Sequence, residues 1–459
     1  MAIQDFNMTS LNGSNGFQIN GESEFDLSGR SVSNAGDVNG DGFDDVIVGA
    51  PHAFSSVERT GSSYVVFGKA TEFEANIQLS SLDGSNGFRI EGERDHDRSG
   101  YSVSNAGDVN GDGFDDVIVG APYHSIYGER SDYAYVVFGR ASGFDASMRL
   151  ASLDGVNGFR LDGMPGEFSS GLSVGSAGDI NGDGLDDIIG NVSGASFIVF
   201  GKASGFDANI DLSSLDGSNG FRFDGSLDST RISGYFGYSV SGAGDVNGDG
   251  LDDVIIGDPA PGDAVFSDIG LGYVVFGRTS GFDAQLDLTD LNGSNGFRLN
   301  GVKSDRAGYS VSGAGDINGD GFDDVIIGAP DANGDQSGSS FVVFGKASGF
   351  DAQMDLSSLD GQNGFRLNGE AYDRAGASVS SAGDVNGDGF DDLIIAVPEA
   401  ARANPIFGSS YVLFGKGEGF DAEIELSSLD GRTGFRLNGS HSSLYAVSSA
   451  GDMNHDGFD

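Results

Sequence analysis

A nine-residue run of acidic, amide and glycine residues returns along this chain at nearly constant intervals. It first reads DVNGDGFDD, from Asp37 to Asp45. A seventh copy, DMNHDGFD, spans Asp452–Asp459, and successive copies start 66 to 71 residues apart. A fixed period of this length indicates a repeat architecture. The six complete copies start at Asp37, Asp108, Asp179, Asp245, Asp316 and Asp384.

The run has the donor pattern of a calcium loop. Positions 1, 3, 5 and 9 carry oxygen side chains, position 6 is a glycine that permits a sharp turn, and position 7 can offer its carbonyl. Ca²⁺ takes six to eight hard oxygens in a flexible shell, whereas Mg²⁺ dehydrates reluctantly and prefers a tight octahedron. We therefore predict Ca²⁺ sites at positions 1, 3, 5, 7 and 9. These residues are Asp37, Asn39, Asp41, Phe43, Asp45, Asp108, Asn110, Asp112, Phe114, Asp116, Asp179, Asn181, Asp183, Leu185, Asp187, Asp245, Asn247, Asp249, Leu251, Asp253, Asp316, Asn318, Asp320, Phe322, Asp324, Asp384, Asn386, Asp388, Phe390, Asp392 and, in the incomplete copy, Asp452, Asn454, Asp456 and Phe458.

Two other interpretations of the loop were weighed. An EF-hand requires Glu at position 12, and here that position is Val, Gly or Ile in every complete copy. A plain polar turn also favours Asn, Asp and Gly. Such a turn does not need four carboxylates in each loop, because those groups repel one another. Calcium binding is therefore the preferred interpretation.

Composition limits the classes of function. The 459 residues include no cysteine, so neither disulfides nor thiolate metal sites are available. The net charge of −46, with Lys and Arg scattered along the chain, disfavours binding to nucleic acid or anionic membranes. No apolar run is long enough to span a membrane, and the start lacks the pattern of a secretory signal. Because the chain ends inside a loop copy, we expect a piece of a longer polypeptide.

Each period contains four β-like segments between glycine-rich turns. Segment A precedes the loop (SVSNAG-like), B follows it (DVIVGAP-like), C ends in YVVFG, and D reads GFRLNG. Runs of β-branched and aromatic residues between such turns predict short strands, and four per repeat are typical of a propeller blade. The sequence thus predicts an all-β, seven-bladed β-propeller of four-stranded blades. The blades span 28–92, 99–163, 170–225, 236–301, 307–369, 375–439 and, for a partial seventh, 446–459 together with the strand at 16–21.

The inventory of segments suggests how the ring closes. The N-terminus holds an additional D segment, Gly16–Gly21, so the chain has seven D segments and seven loops but six B and C segments. We expect this N-terminal strand to complete the last, truncated blade, which would leave no open sheet edge. A connector between C and D, for example from Gly349, is expected to pack on a neighbouring blade.

The order of FG, then DxNGDGxxD, then GAP is similar to the FG-GAP repeat of integrin α-subunit propellers and of bacterial integrin-α-like proteins. The FG and the loop match at Phe236–Asp253, and the loop and GAP match at Asp37–Pro51, Asp108–Pro122 and Asp316–Pro330. The resemblance implies a seven-bladed propeller with Ca²⁺ in the A–B loops on one face and ligand contact on the other. A loop in every blade and the lack of cysteine favour the bacterial type, so a β-subunit partner is not assumed.

The expected function is a non-enzymatic, calcium-binding, extracellular or cell-surface module for adhesion to a protein or glycan, without catalytic residues. Variable loops on a rigid ring are the expected binding surface: B–C loops 52–61, 123–133, 259–270, 331–338 and 399–407, and D–A loops 22–28, 93–99 and 226–233. Sequons at Asn7, Asn12, Asn191, Asn292 and Asn438 would make it a glycoprotein in a glycosylating host. The alternatives are a carbohydrate-binding or accessory propeller of a larger secreted enzyme, and a structural spacer in a large surface protein. A cluster of His, Glu or Arg at one channel mouth would favour the former, and the sequence shows none.

Overall fold

The fold is all-β within the part of the chain that the computed structural model describes. That part comprises residues 5–54, 58–122, 132–163, 173–192, 195–224, 236–260, 269–399, 408–439 and 446–459. Within it, the regular structure consists of short strands and single turns of 3-10 helix, with no α-helix. The prediction of an all-β propeller is confirmed, and six five-stranded sheets are present.

The A and B strands pair as an antiparallel hairpin in every sheet. A short extended run ends at a glycine, the loop makes the turn, and the β-branched run begins at the Asp of position 9. Each hairpin has a register shift just before the loop. The A strands are Val32–Gly36, Ser102–Gly107, Val174–Gly178, Ser239–Gly244, Ser310–Gly315 and Val379–Gly383; the B strands are Asp45–Ala50, Asp116–Ala121, Asp187–Val192, Asp253–Asp258, Asp324–Ala329 and Asp392–Val397.

The C and D strands continue each sheet outward with antiparallel pairing. Side chains of the C strands fill both faces of the sheet, so four of these strands are buried along their whole length. The C strands are Ser62–Val66, Tyr133–Val137, Ala195–Val199, Ile269–Val275, Ser339–Val343 and Ser409–Leu413; the D strands are Gln18–Asn20, Gly87–Glu91, Gly158–Asp162, Gly220–Asp224, Gly296–Lys303, Gly364–Asn368 and Gly434–Asn438.

A fifth strand corrects the prediction of four-stranded blades. The connector between C and D forms a three-residue strand that pairs in parallel with the D strand of the preceding sheet. Three residues of alternating exposure are too few to be recognised as a strand in the sequence. The connector strands are Asp5–Asn7, Asn76–Gln78, Ser147–Arg149, Asn209–Asp211, Gln285–Asp287, Gln353–Asp355 and Glu423–Glu425, followed by 3-10 turns at Met8–Ser10, Leu79–Ser81, Leu150–Ser152, Leu212–Ser214, Leu288–Asp290, Leu356–Ser358 and Leu426–Ser428.

The N-terminal segment pairs in the same way as an internal connector and D strand. Asp5–Asn7 pairs in parallel with Gly434–Asn438 of the sixth sheet. Gln18–Asn20 pairs in parallel with Asn76–Gln78, the connector strand of the first repeat. The N-terminus therefore links the sixth repeat to the first.

Hydrophobic packing lies between neighbouring sheets. One cluster joins Ile47 and Phe88 of the first sheet to Val119 and Tyr135 of the second, and similar clusters recur along the chain. The Phe of a D strand also stacks on a Phe of the next connector, as in Phe159–Phe206, with 4.6 Å between ring centroids. Neighbouring sheets thus share buried apolar area, which is the dominant favourable contribution to folding.

The two ends of the strands define two faces. Because A, B, C and D alternate in direction, the A–B loops and C–D connectors lie on one face, and the B–C and D–A loops lie on the other. We call these the acidic-loop face and the variable-loop face. The A strands of successive sheets contact one another and are innermost. Among the described residues, no helix is long and apolar enough to cross a membrane.

Candidate metal loops and the variable-loop face

Position 1 of each loop organises the turn. The Asp37 carboxylate accepts the N–H of Asp41 at 3.0 Å and that of Gly42 at 2.9 Å. Asp41 in turn accepts the N–H of Phe43 at 3.1 Å. The two bonds to position 1 recur in the other loops, including the one that starts at Asp452. The loop therefore folds around the carboxylates of positions 1 and 5.

Position 9 is the buried end of the loop. Asp45 is fully buried, whereas Asp41 at position 5 is exposed. One Asp45 oxygen accepts the N–H of Val38 at 3.1 Å, and the other accepts the N–H of Gly68 at 2.8 Å. Equivalent bonds hold position 9 in the other complete loops. Position 9 thus ties the loop to the end of strand C, a role that the sequence alone did not indicate.

Burial makes the position 9 carboxylates weak acids. Desolvation raises the pKa of Asp45 to about 8 and that of Asp116 to about 9. Repulsion by the carboxylates of positions 5 and 1 raises the pKa further, while the two backbone N–H donors partly offset it. The same causes raise the pKa of Asp187, Asp253, Asp324 and Asp392.

Position 3 faces position 9. In the third loop, the amide nitrogen of Asn181 lies 3.1 and 3.2 Å from the two Asp187 oxygens. The same contact is longer in the second, fourth, fifth and sixth loops. A half-turn of the amide would present its carbonyl oxygen at the same place. Position 7 donates its backbone N–H to position 5. Its side chain packs against position 4 of the preceding loop, as Phe114 does on Gly40.

The donor set fits a hard divalent cation. Each loop offers three carboxylates, one amide and a backbone carbonyl within nine residues, and the charges that act on Asp45 come from the other carboxylates of its loop. Oxygen-only sets of this kind suit Ca²⁺. Among the described residues, no three His, Cys, Asp or Glu side chains already converge as a metal cluster.

Position 8 has a role that the sequence did not indicate. The carboxylate of Asp115 accepts the N–H of Asp37 in the preceding loop at 2.8 Å. The glycine just before that loop, Gly36, has φ +68°, and a Cβ there would lie 2.3 Å from an Asp115 oxygen. The close approach therefore requires glycine. We call this contact the position 8 bond. In each case the N–H of a position 1 residue donates to a position 8 carboxylate at 2.8 or 2.9 Å, in the pairs Asp37–Asp115, Asp108–Asp186, Asp179–Asp252, Asp245–Asp323, Asp316–Asp391, Asp384–Asp459 and Asp452–Asp44.

The last loop makes two further contacts with the first repeat. Lys69 donates its N–H to the Met453 carbonyl at 2.9 Å, as Arg140 does to Val38 one repeat later. Asn34 donates its N–H to the Ser449 carbonyl at 3.0 Å. The Lys69–Met453 bond and the position 8 bond Asp452–Asp44 thus repeat at this junction the hydrogen bonds that join internal repeats.

The repeats match a known family. The FG-GAP repeat family matches residues 28–66, 99–137, 307–343 and 375–413, which are the first, second, fifth and sixth repeats. Each matched range starts in a D–A loop and includes an A strand, an acidic loop, a B strand and most or all of a C strand.

This chain contains FG-GAP repeats.

The chain is similar to integrin α-subunits over part of their length. It is 30% identical to integrin alpha-V of Gallus gallus over 229 residues, which cover 49% of this chain and 20% of that protein. It is 31% identical to integrin alpha-5 of Xenopus laevis over 211 residues, 44% of this chain and 19% of that protein. Integrin alpha pat-2 of Caenorhabditis elegans is 29% identical over 238 residues, 50% of this chain and 18% of that protein. The FG-GAP chain thus spans about a fifth of the length of these relatives.

Four D–A loops on the variable-loop face share a buried aspartate. Asp97 is fully buried, and its carboxylate accepts the N–H of Arg94 at 2.6 Å. Its neighbours His96 and Arg98 have φ of +70° and +54°. The same buried Asp between two residues of positive φ occurs at Asp26, Asp305 and Asp373. The recurring sequence Asp-x-(Ser/Ala)-Gly before strand A was the signal for this element, and the sequence-based prediction treated it as variable.

Part of the predicted ligand surface lies outside the described residues. This applies to the D–A loop 226–233 and to most of the B–C loops 123–133, 259–270 and 399–407. The loop 331–338 is described in full and contacts the D–A segment that follows its own D strand, through Arg374 donating its N–H to the Gln336 carbonyl at 3.0 Å. B–C and D–A loops therefore meet on one face, as predicted.

Proposed function

We propose that this chain is a seven-membered ring of FG-GAP repeats clamped by Ca²⁺, acting as a non-enzymatic binding module outside the cell. The seventh unit comprises residues 446–459 together with the N-terminal connector and D strands. Seven position 8 bonds that run once around the molecule and return to their start support this number. Residues 1–459 would then form one domain.

The observation that carries the calcium proposal is the buried carboxylate of position 9. Asp45 joins strand B, the acidic loop and the end of strand C, and other carboxylates are its charged neighbours. A cation held by positions 1, 3, 5, 7 and 9 would neutralise that repulsion and fix three parts of one sheet together. Ca²⁺ supplies charge and flexible oxygen coordination, and no step of chemistry is required of it.

The similarity to integrin α-subunits supports adhesion to a protein or glycan ligand through the variable-loop face. Loops held by buried Asp residues on a rigid ring are suited to this task. Weak, multiple calcium sites fill at extracellular concentrations, which supports an extracellular or cell-surface location. A second candidate, a carbohydrate-binding propeller, is favoured by a cluster of Arg30, Tyr101, Tyr238 and Tyr309 at one end of the channel.

The test is binding of the chain to arrays of glycans and matrix proteins in millimolar Ca²⁺ and again with a chelator. Saturable binding that requires Ca²⁺ is expected. Substitution of the fully described loop 331–338 by a glycine–serine loop of equal length locates the surface. Lack of binding by a folded, calcium-loaded chain would contradict the adhesive role and leave a spacer as the better interpretation.

A further inference from the structure

The variable-loop end of the central channel contains a cavity of about 800 Å³. Its wall is built from the residues that begin the A strands of successive repeats, so each repeat contributes to it in turn. Arg30, Tyr101, Tyr238 and Tyr309 hold the same position in their repeats, one residue before a serine. We call these four residues the mouth cluster. None of them belongs to the acidic loops.

Arg30 is a cation without a carboxylate partner among the described residues. Its Nη2 donates to the Tyr101 hydroxyl at 3.0 Å, and its guanidinium carbon lies 4.7 Å from the centroid of that ring. In contrast, Arg89 and Arg160 form ion pairs with glutamates at 3.2 and 3.1 Å. No acidic residue is among the described residues that line the cavity, so this arginine is available for an acidic group despite the net charge of −46.

The tyrosines present hydroxyl groups close together. The Tyr238 and Tyr309 rings lie 4.9 Å apart, and their hydroxyl oxygens are separated by 3.3 Å. Burial and the Tyr309 hydroxyl raise the pKa of Tyr238, and the charge of Arg30 acts on the same group. The Tyr238 hydroxyl therefore remains a protonated donor at neutral pH. Ser173 and Ser239 add further hydroxyls to the wall.

We propose that the mouth cluster binds a sugar that carries a carboxylate, such as a uronic acid residue of an acidic glycan. Arg30 would pair with the carboxylate, since a guanidinium matches the planar geometry of that group. The tyrosine and serine hydroxyls would bond to the ring hydroxyls, and the flat tyrosine rings supply apolar contact with a polar edge. This inference deepens the proposed binding function by assigning a site and a ligand class.

The charge and the hydroxyl groups of the cavity wall disfavour two other classes of ligand. A cationic group would meet Arg30, which already lies over the face of Tyr101. A purely apolar ligand would bury the hydroxyls of the wall without partners, which is unfavourable. The acidic glycan is favoured over a neutral one because only the acidic sugar satisfies the guanidinium.

The test is calorimetric titration of the chain, in millimolar Ca²⁺, with a trimer of galacturonic acid and with a neutral trimer of galactose. We expect the acidic trimer to bind at least tenfold more tightly than the neutral one. Arg30→Gln should remove at least tenfold of that affinity, and Tyr309→Phe should weaken it severalfold. Arg432→Gln is the matched control: it removes one positive charge from an exposed residue of the C–D segment of repeat six and should leave affinity unchanged.

Three results would overturn the proposal. The first is equal affinity of the wild type and Arg30→Gln for the acidic trimer. The second is that a glutamate tripeptide binds as tightly as the acidic trimer or more tightly. The third is that the acidic trimer does not bind to a chain whose thermal melt shows it to be folded. A thermal melt of each variant shows that the fold is intact. If Ca²⁺ stabilises the chain but the acidic trimer does not bind, the mouth proposal fails and the calcium proposal remains. If the acidic trimer binds equally with chelator, the mouth proposal stands and the calcium proposal is contradicted.

Discussion

At the residue scale, the repeated Asp residues of each loop divide into three roles. Positions 1 and 5 shape the loop by accepting its own N–H groups, position 9 joins the loop to strand C, and position 8 reaches into the neighbouring repeat. Charge alone does not distinguish them, because all four are aspartates. Their roles differ because their burial and hydrogen-bond partners differ.

Position 9 provides the first test. Asp116→Asn should lower the number of bound Ca²⁺ ions by one, because it removes a carboxylate ligand. In Ca²⁺ at ten times Kd it should lower the free energy of unfolding by about 1.4 kcal/mol, the contribution of one site. Calorimetric titration gives the number of ions, and chemical unfolding gives the stability. Asp145→Asn, on an exposed connector, removes the same charge and should change neither quantity.

His455 provides the second test. It has φ +58° at position 4, where the other six loops have glycine at about the same angle, for example Gly40 at +72°. An L-residue in this region costs roughly 1–2 kcal/mol, and the edge contact of His455 with Phe43 at 5.6 Å offsets part of it. His455→Gly should therefore raise the free energy of unfolding by up to about 1 kcal/mol.

The reverse substitution is the control for that prediction. Gly40→His should destabilise the chain, because its Cβ would lie 2.2 Å from the Phe114 ring. Thermal unfolding of both variants in the same buffer measures the difference. A lower melting temperature for His455→Gly would contradict the assignment of strain to position 4.

At the element scale, adjacent repeats are joined by apolar contacts away from the channel and by hydrogen bonds near it. The apolar contacts are stacked phenylalanines and packed aliphatic side chains. Near the channel, the position 8 bonds join one acidic loop to the next, and serine hydroxyls join one A strand to the next, as Ser31 accepts the N–H of Val103 at 3.1 Å. Polar links of this kind fix the angle between blades more closely than apolar packing alone.

Substitutions at position 8 test whether this aspartate accepts a structural hydrogen bond or binds the metal. Asp186→Ala leaves the N–H of Asp108 without its acceptor, so we expect a loss of about 1–3 kcal/mol in the free energy of unfolding. Asp186→Asn keeps an acceptor oxygen and should lose less. The number of bound Ca²⁺ ions should stay the same in both variants, and a loss of one ion would show that position 8 is a ligand.

The sequence predicted the repeat, the strands and the loops because each has a local signal: a period, a run of β-branched residues, or a glycine at a fixed offset. It did not predict the three-residue connector strand, the Asp37–Asp115 bond or the mouth cluster around Arg30. Each of these joins residues that lie far apart in the chain or in different repeats. Such contacts depend on how neighbouring sheets are placed, which no single repeat specifies.

At the scale of the whole molecule, the contacts between the last loop and the first repeat determine whether the repeats form a closed ring. Most hydrogen bonds at that junction match the internal ones. One differs: Ala446 stands where Ser31, Ser102, Ser173, Ser239 and Ser378 accept the N–H of a valine in the next repeat. Ser310, at the same position, donates its hydroxyl to the Gly376 carbonyl instead. The closing junction therefore has one hydrogen bond fewer on the variable-loop side than the five junctions with an accepting serine.

Restoring that bond tests ring closure. Ala446→Ser should place a hydroxyl to accept the N–H of Val32 and raise the free energy of unfolding by about 0.5–1.5 kcal/mol. Ser102→Ala, which removes the matching bond to Val174 at 3.3 Å, should lower it by a similar amount. If Ala446→Ser were neutral while Ser102→Ala was destabilising, residues 446–459 would not lie against the first repeat in solution.

The measurement that tests the central claim most directly is the melting temperature of the whole chain in millimolar Ca²⁺ and after chelation. At a free Ca²⁺ concentration ten times Kd, each site adds about 1.4 kcal/mol, so six sites add roughly 8 kcal/mol, comparable to the stability of a typical domain. The account predicts a large fall in melting temperature on chelation, restored by Ca²⁺ and not by an equal concentration of Mg²⁺. An unchanged melting temperature after chelation would contradict it.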